Sequence, residues 1–412
     1  MKTTAVRLYG ENDIRLEEFE LPEPEDGDIL IKIISDSVCM STYKTVKQGA
    51  KHIRVPDDVA ENPVIIGHEF CGQIVAITEK WEGKYSPGEK VIMPPALSYL
   101  GGMQTIGYSY GEIGGAATYC VVKDHMIEHG HLIKLNSDAY FSGSLIEPVS
   151  CVVRGYKAIL HLDEELMPYT NLKPGGRTAI LGGCGPMGLA AIDIALHGDV
   201  KPSVLVVTDM DAQRLARAEA IYDPAKAAKD GIQLIFSSAT DKETLLTLSG
   251  GTGFDDVLVY TPNPEVVELA DSLLAFDGCL NFFAGPLDKN FSAKFNFYNV
   301  HYSQHHVVGT SGSTVGDMLD VVELLGQKRI DPAAMLTHIG GLDAVIDTTV
   351  NLPHIPGGKK LIYPPIRLPL TAIADFSKLG ETDPRFRDLD EIVSCHNGLW
   401  CAEAENYLLK HF

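Results

Sequence analysis

"AILGGCGPMGL", residues 179–189, carries an apolar run into three glycines at G-x-G-x-x-G spacing and then into helix-forming residues. Each glycine has a physical task in a dinucleotide-binding turn. Gly183 turns the chain tightly, Gly185 lets a pyrophosphate approach the backbone, and Gly188 lets helix and strand pack closely. The helix opening at Pro186 and Met187 offers its unpaired N–H groups to phosphate. The next apolar run, "SVLVVTD", ends on Asp209, about 20 residues after Gly188, where an acidic group accepts from a ribose hydroxyl. A ligand-free glycine turn followed by an N-cap aspartate is the bland alternative, but strand, spacing and acid together favour a dinucleotide site. Asp209 repels a 2′-phosphate and so favours NAD(H), while Arg214, one turn further on, leaves NADP(H) open.

Outward from this motif, apolar strands such as "RTAILGG", "GIQLIFSS", "FDDVLVYT" and "GCLNFFAG" alternate with helical segments such as "AQRLARAEAIY" and "PEVVELADSLLAF". That alternation implies parallel βαβ units. The first ~150 residues differ: "DILIKIISDSVC", "VIIGHEFCGQIVAI" and "ATYCVVK" read as strands separated by Pro, Gly and Asp turns. The expected fold class is α/β. A doubly wound Rossmann domain spans 151–310, and a β-rich catalytic domain is built from 1–150 and 311–412.

With 412 residues, 45% of them hydrophobic, the chain can bury the cores of two domains. Its net charge of −21 disfavours nucleic acid and anionic membrane surfaces as partners and leaves a small molecule. No apolar run approaches the ~18 residues of a membrane span, and "MKTTAVRLYGEND" lacks the order of a signal peptide, so a cytoplasmic protein is expected. The eight cysteines show no disulfide-framework spacing.

"VIIGHEF", residues 64–70, places His68 and Glu69 side by side after an apolar run. Cys39 stands in "SDSVCMSTYK", and Glu147 in "SGSLIEPVSC". Singly, these read as a satisfied core histidine, a core thiol and a helix N-terminal carboxylate. Jointly they form the mixed soft and borderline donor set suited to zinc, and three protein ligands plus an exchangeable position is the catalytic arrangement. Adjacent side chains on a regular strand point to opposite faces, so His68 and Glu69 can share one ion only where the backbone bends.

These motifs resemble the zinc-dependent medium-chain dehydrogenases/reductases, which include alcohol and polyol dehydrogenases. The resemblance runs from about residue 1 to 364, through the Cys39 motif, "GHE" at 67–69, "PGEKV" at 87–91, "GGAATY" at 114–119, "EP" at 147–148, the glycine motif and "GKKLIYP" at 358–364. It implies a GroES-like catalytic domain, with Cys39 and His68 as zinc ligands and Glu69 and Glu147 completing the set directly or through water. Ser41 matches the hydroxyl that takes the alcohol proton, and Lys44 occupies a relay position that is often histidine. Residues 93–115, where relatives often carry four cysteines for a structural zinc, contain none, which implies a single catalytic zinc. Relatives also suggest a homodimer or homotetramer, with residues 294–312 supplying an edge strand.

"YKTVKQGAKHIRV", residues 43–55, contains Lys44, Lys47, Lys51 and Arg54 and no acid. Tied at its start to Cys39, it suits an anionic substrate, with Lys47, Lys51 and Arg54 receiving the phosphate of a sugar phosphate. Residues 365–412 extend beyond the usual family end. Including them, the chain looks most like the reductases that interconvert L-sorbose 1-phosphate and glucitol 6-phosphate. An unphosphorylated polyol is the alternative substrate. A zinc-free reductase of the same fold would have lost the Cys39, His68 and glutamate set, and a non-catalytic binding protein would be expected to have lost Ser41 or a ligand.

Overall fold

In the computed structural model, which describes residues 1–101 and 103–412, the run after Pro174 forms the strand Arg177–Leu181, and the glycines lead directly into the helix Pro186–His197. Among the described residues, the sheet around this strand has six parallel members. Their order is Gln233–Ser237, Val204–Thr208, Arg177–Leu181, Phe254–Val259, Leu274–Phe282 and His306–Gly309. In chain order this is 3-2-1-4-5-6, which reverses beside the first strand and leaves a crevice outside the carboxyl ends there. Phe254–Val259 is buried along its whole length, as a central strand covered on both faces must be.

This sheet and its helices make one unit, Val149–Gly312 with Glu323–Met335; the other comprises Met1–Pro148, Ser313–Val322 and Leu336–Phe412. The sequence reading assigned 323–335 to the β-rich part. Those residues instead fasten to the Pro186–His197 helix: Arg329 Nε donates to the His197 carbonyl at 2.8 Å, and the Asp331 amide to Asp193 Oδ2 at 2.8 Å.

In the β-rich unit, Ile29–Val38 is the organising strand. It pairs antiparallel with Phe70–Ala76, Tyr119–Val122 and Lys359–Tyr363. Asp36 opposes Phe70, and Val38 opposes Lys360. This register collects Cys39, Glu69 and Lys359 at one end of the sheet. The segment beyond residue 364 adds the helices Pro384–Cys395 and Ala402–His411, with Trp400 buried between them in sequence. No helix among the described residues is long and apolar enough to cross a membrane.

Candidate active site

Cys39 sits where the central strand ends and the helix Met40–Gln48 begins. His68 and Glu69 lie between the short strand Val64–Ile65 and Phe70–Ala76. The bend that brings both to one point is made by Gly67, at φ +89°, where a Cβ would stand 2.4 Å from Asp36 Oδ2 and 2.7 Å from the Ala116 amide nitrogen. Glycine is needed there for both conformation and space. The candidate ligand atoms of Cys39, His68 and Glu69 then lie within 4.8 Å of one another. Donors around a tetrahedral zinc at about 2.0–2.3 Å sit roughly 3.5 Å apart, so the set needs only a small contraction to hold an ion.

The electrostatics suit a cation. Burial pushes the His68 imidazole down to about 4, leaving it neutral with lone pairs to offer. Burial, then the Glu69 charge, pushes the Cys39 thiol up to about 12. Ser41 Oγ stands 2.9 Å from Cys39 Sγ and 3.1 Å from His68 Nε2, among the donors themselves. Glu147, in the first turn of the helix Ile146–Lys157, is buried but outside the three-residue cluster; its charge still reaches the Cys39 thiol. The sequence reading has Glu147 completing the set directly or through water, and the buried cluster itself comprises Cys39, His68 and Glu69.

Sequence reasoning missed Lys359. Its ammonium lies 2.5 Å from Glu69 Oε1 and also bonds Oε2, while the Ser37 hydroxyl donates to the same carboxylate. The pair is almost fully enclosed, with side-chain exposures of 6% and 1%. Burial alone would lower the Lys359 pKa, but the Glu69 charge beside it holds it above its ordinary value. The available signal was a charged "KK" opening the otherwise apolar run "LIY".

The basic segment is divided. Lys51 is exposed and paired with Glu11 at 2.5 Å, and Lys47 reaches over the Tyr43 ring at 5.5 Å. Lys47 on the helix Met40–Gln48 is exposed and Glu11 holds Lys51, so neither is gathered into the buried donor cluster. Arg54 lies 5.7 Å from the centroid of Tyr108, a buried ring that stands 5.2 Å from the His68 ring and 5.3 Å from the His52 ring. No carboxylate pairs with Arg54 among the described residues. Half-buried Lys44 is lowered by burial, with the Cys39 charge opposing; His52 is lowered by burial and by Arg54 and Lys44.

In the other unit, a cavity of about 600 Å³ is lined by Gly182, Gly185, Pro186, Met187, Gly188, Asp209 and Arg214 among others. The glycine tasks differ by one position from the sequence reading. Gly182, at φ +70°, makes the turn, whereas Gly183 is packed so that a Cβ would meet Ile180 at 2.7 Å and Val207 at 2.8 Å. A Cβ on Gly188 would stand 2.2 Å from the Gly183 carbonyl oxygen, and one on Gly185 meets nothing within 4 Å. Asp209 is oriented by the Cys184 amide at 3.1 Å and the Asp211 amide at 3.0 Å. An open glycine at a helix N-terminus beside a fixed carboxylate fits a dinucleotide.

Residues 25–131 match the alcohol dehydrogenase GroES-like domain, and residues 186–327 match the zinc-binding dehydrogenase family. Over 410 residues, 99% of this chain and 98% of the relative, the sequence is 46% identical to the L-sorbose 1-phosphate reductase of Klebsiella pneumoniae. It is 45% identical to the mannitol-1-phosphate 5-dehydrogenase of Aliivibrio fischeri over 100% of this chain and 98% of that one. The crystal structure of 2R,3R-butanediol dehydrogenase from Bacillus subtilis superposes with a TM-score of 0.71 at 22% identity, covering 88% of this chain and 99% of the other.

Proposed function

This chain belongs to the zinc-binding dehydrogenase family with a GroES-like domain, and on that premise we propose that it transfers a hydride between NAD(H) and a ketose or polyol phosphate. L-sorbose 1-phosphate and glucitol 6-phosphate are the favoured pair, a reading supported by the near full-length similarity to a reductase named for that substrate. The observation that carries the reaction type is the buried convergence of Cys39, His68 and Glu69 beside the Ser41 hydroxyl.

Cys39, His68 and Glu69 would hold one zinc ion, with Glu147 completing the set directly or through water. When bound, the ion supplies Lewis acidity at the substrate oxygen, and the dinucleotide supplies the hydride acceptor. Ser41 Oγ takes the proton of the substrate hydroxyl in oxidation and returns it in reduction. Lys359 and the Ser37 hydroxyl fix the direction of the Glu69 carboxylate. Lys44, half-buried and under the electrostatic influence of Cys39, would relay that proton onward. Asp209 receives the adenosine ribose and disfavours a 2′-phosphate, so NAD(H) is preferred over NADP(H).

The substrate phosphate is received by Arg54 beside His52, in place of the Lys47 and Lys51 of the sequence reading. A partly enclosed guanidinium without a carboxylate partner is matched to a bidentate phosphate. Arg54→Gln is expected to raise KM for the phosphate ester by tenfold or more and to leave that of the free sugar nearly unchanged; equal effects on both would remove Arg54 from this role. We also assign a homodimer or homotetramer through the edge strand His306–Gly309, beside which Phe297, Tyr298 and Tyr302 stand exposed. Light scattering at micromolar concentration that gave only monomer would refute this.

Metal analysis tests the central reading. About one zinc per chain is expected, and Cys39→Ser or His68→Ala should abolish turnover while NADH still binds. Two tightly held zincs, or a variant with normal turnover, would overturn it.

A further inference from the structure

The extension beyond residue 364 has a place in this chemistry. Glu405, on the helix Ala402–His411, is 1% exposed. One carboxylate oxygen accepts from the Tyr140 amide at 2.6 Å; the other accepts from the Phe141 amide at 2.7 Å and from the Tyr363 hydroxyl at 2.9 Å. Trp400 Nε1 donates to the Tyr363 oxygen at 2.7 Å, so a second residue of the extension orients the hydroxyl that meets Glu405. The two amides open the helical turn Phe141–Ser144, which runs through Leu145 into the helix that bears Glu147.

That turn touches the strand before Cys39 and the strand after Glu69. Ser144 Oγ lies 2.6 Å from Ser35 Oγ, on the strand that ends just before Cys39. Gly143 packs against Cys71, two residues after Glu69, so closely that a Cβ would stand 2.5 Å from its sulfur. Glu405 therefore fastens a segment that touches the strand ending before Cys39 and the strand that follows Glu69, and that runs into the Glu147 helix. Its carboxylate can accept all three bonds, whereas glutamine would aim an N–H at one of the donors.

We propose that Glu405 is a positioning residue for the metal centre, and that the C-terminal extension serves to hold the Tyr140–Glu147 segment in ligating register. This rests on the reading of Cys39, His68 and Glu69 as a zinc site. Residues behind a metal's direct ligands typically change its affinity by about 10–100-fold.

The test uses the full chain with Glu405→Gln and Tyr363→Phe, in two arms. In zinc-free protein, amide hydrogen exchange over 140–147 should be at least tenfold faster in Glu405→Gln, with the 177–209 segment unchanged. In zinc-loaded protein, release to a chelator should be at least tenfold faster, with NADH binding unchanged. Tyr363→Phe removes one of the three donors and should give a several-fold effect in both arms, which keeps the claim testable if Glu405→Gln fails to fold. Unchanged exchange overturns the positioning role. Faster exchange with unchanged zinc release overturns its link to the metal. A wild-type chain that binds no zinc defeats the metal reading itself, and the exchange arm still decides whether Glu405 fixes the segment.

Discussion

Replacing Lys359 by methionine keeps the aliphatic stem and removes the charge that faces Glu69. The wild-type pair is enclosed and doubly bonded, with the Ser37 hydroxyl as the other contact to that carboxylate. Removing one partner of a buried ion pair leaves an uncompensated charge and costs about 3–5 kcal/mol. Against the ~5–15 kcal/mol that holds a domain together, this is a large fraction. Because the folded-state pKa of Lys359 is raised, the pair's contribution is complete at neutral pH and is lost only as pH climbs above the ordinary lysine range. Both tryptophans, Trp81 and Trp400, lie in the β-rich unit, so urea unfolding followed by their fluorescence reports that unit alone. For zinc-free protein at pH 7, Lys359→Met should lower its unfolding free energy by about 3–5 kcal/mol. Adding Glu69→Gln should recover most of the loss, since both partners are then neutral. A single variant within ~1 kcal/mol of wild type, or a double variant no better than the single, would refute the buried-pair argument.

Asp209→Ala removes the group that repels a 2′-phosphate and should shift the NADP(H) to NAD(H) preference by about tenfold or more, equivalent to ~1.4 kcal/mol, read from the ratio of kcat/KM values. An unshifted ratio would contradict its assignment. Gly67→Ala forces an L side chain into a left-handed conformation at about 1–2 kcal/mol before any contact with Asp36 or Ala116 is counted; calorimetry should show a lower Tm and metal analysis a loss of zinc, and a variant that keeps both would show the bend to be dispensable. The Cys39 thiol is protonated at neutral pH, so binding zinc must release its proton. The apparent zinc affinity should therefore rise about tenfold per pH unit over pH 6–8, and a flat profile by chelator competition would exclude Cys39 as a thiolate ligand.

The parts of this molecule governed by short-range rules were legible in the sequence. The glycine motif, the strand and helix alternation and the GHE bend each depend on neighbours within a few residues. Even so, the turn falls on Gly182 rather than Gly183, because the spacing of glycines does not reveal which one adopts positive φ. Long-range partners were not legible. Lys359 meets Glu69 across 290 residues and Glu405 meets Tyr140 across 265, and a lone charge in an apolar run does not name its partner. The same limit explains the basic segment. Its composition was plain, but only the fold shows that Glu11 holds Lys51 while Arg54 turns toward Tyr108.

Zinc-dependent hydride transfer tuned to a phosphorylated sugar is open to one steady-state comparison. NADH oxidation by the zinc-loaded protein is followed with L-sorbose 1-phosphate and with L-sorbose at matched ionic strength, before and after chelation. The expected kcat/KM is at least tenfold higher for the phosphate ester, falling as salt is raised, and turnover is abolished by the chelator in both cases. Equal values for the two sugars, or turnover that survives removal of the metal, would contradict it.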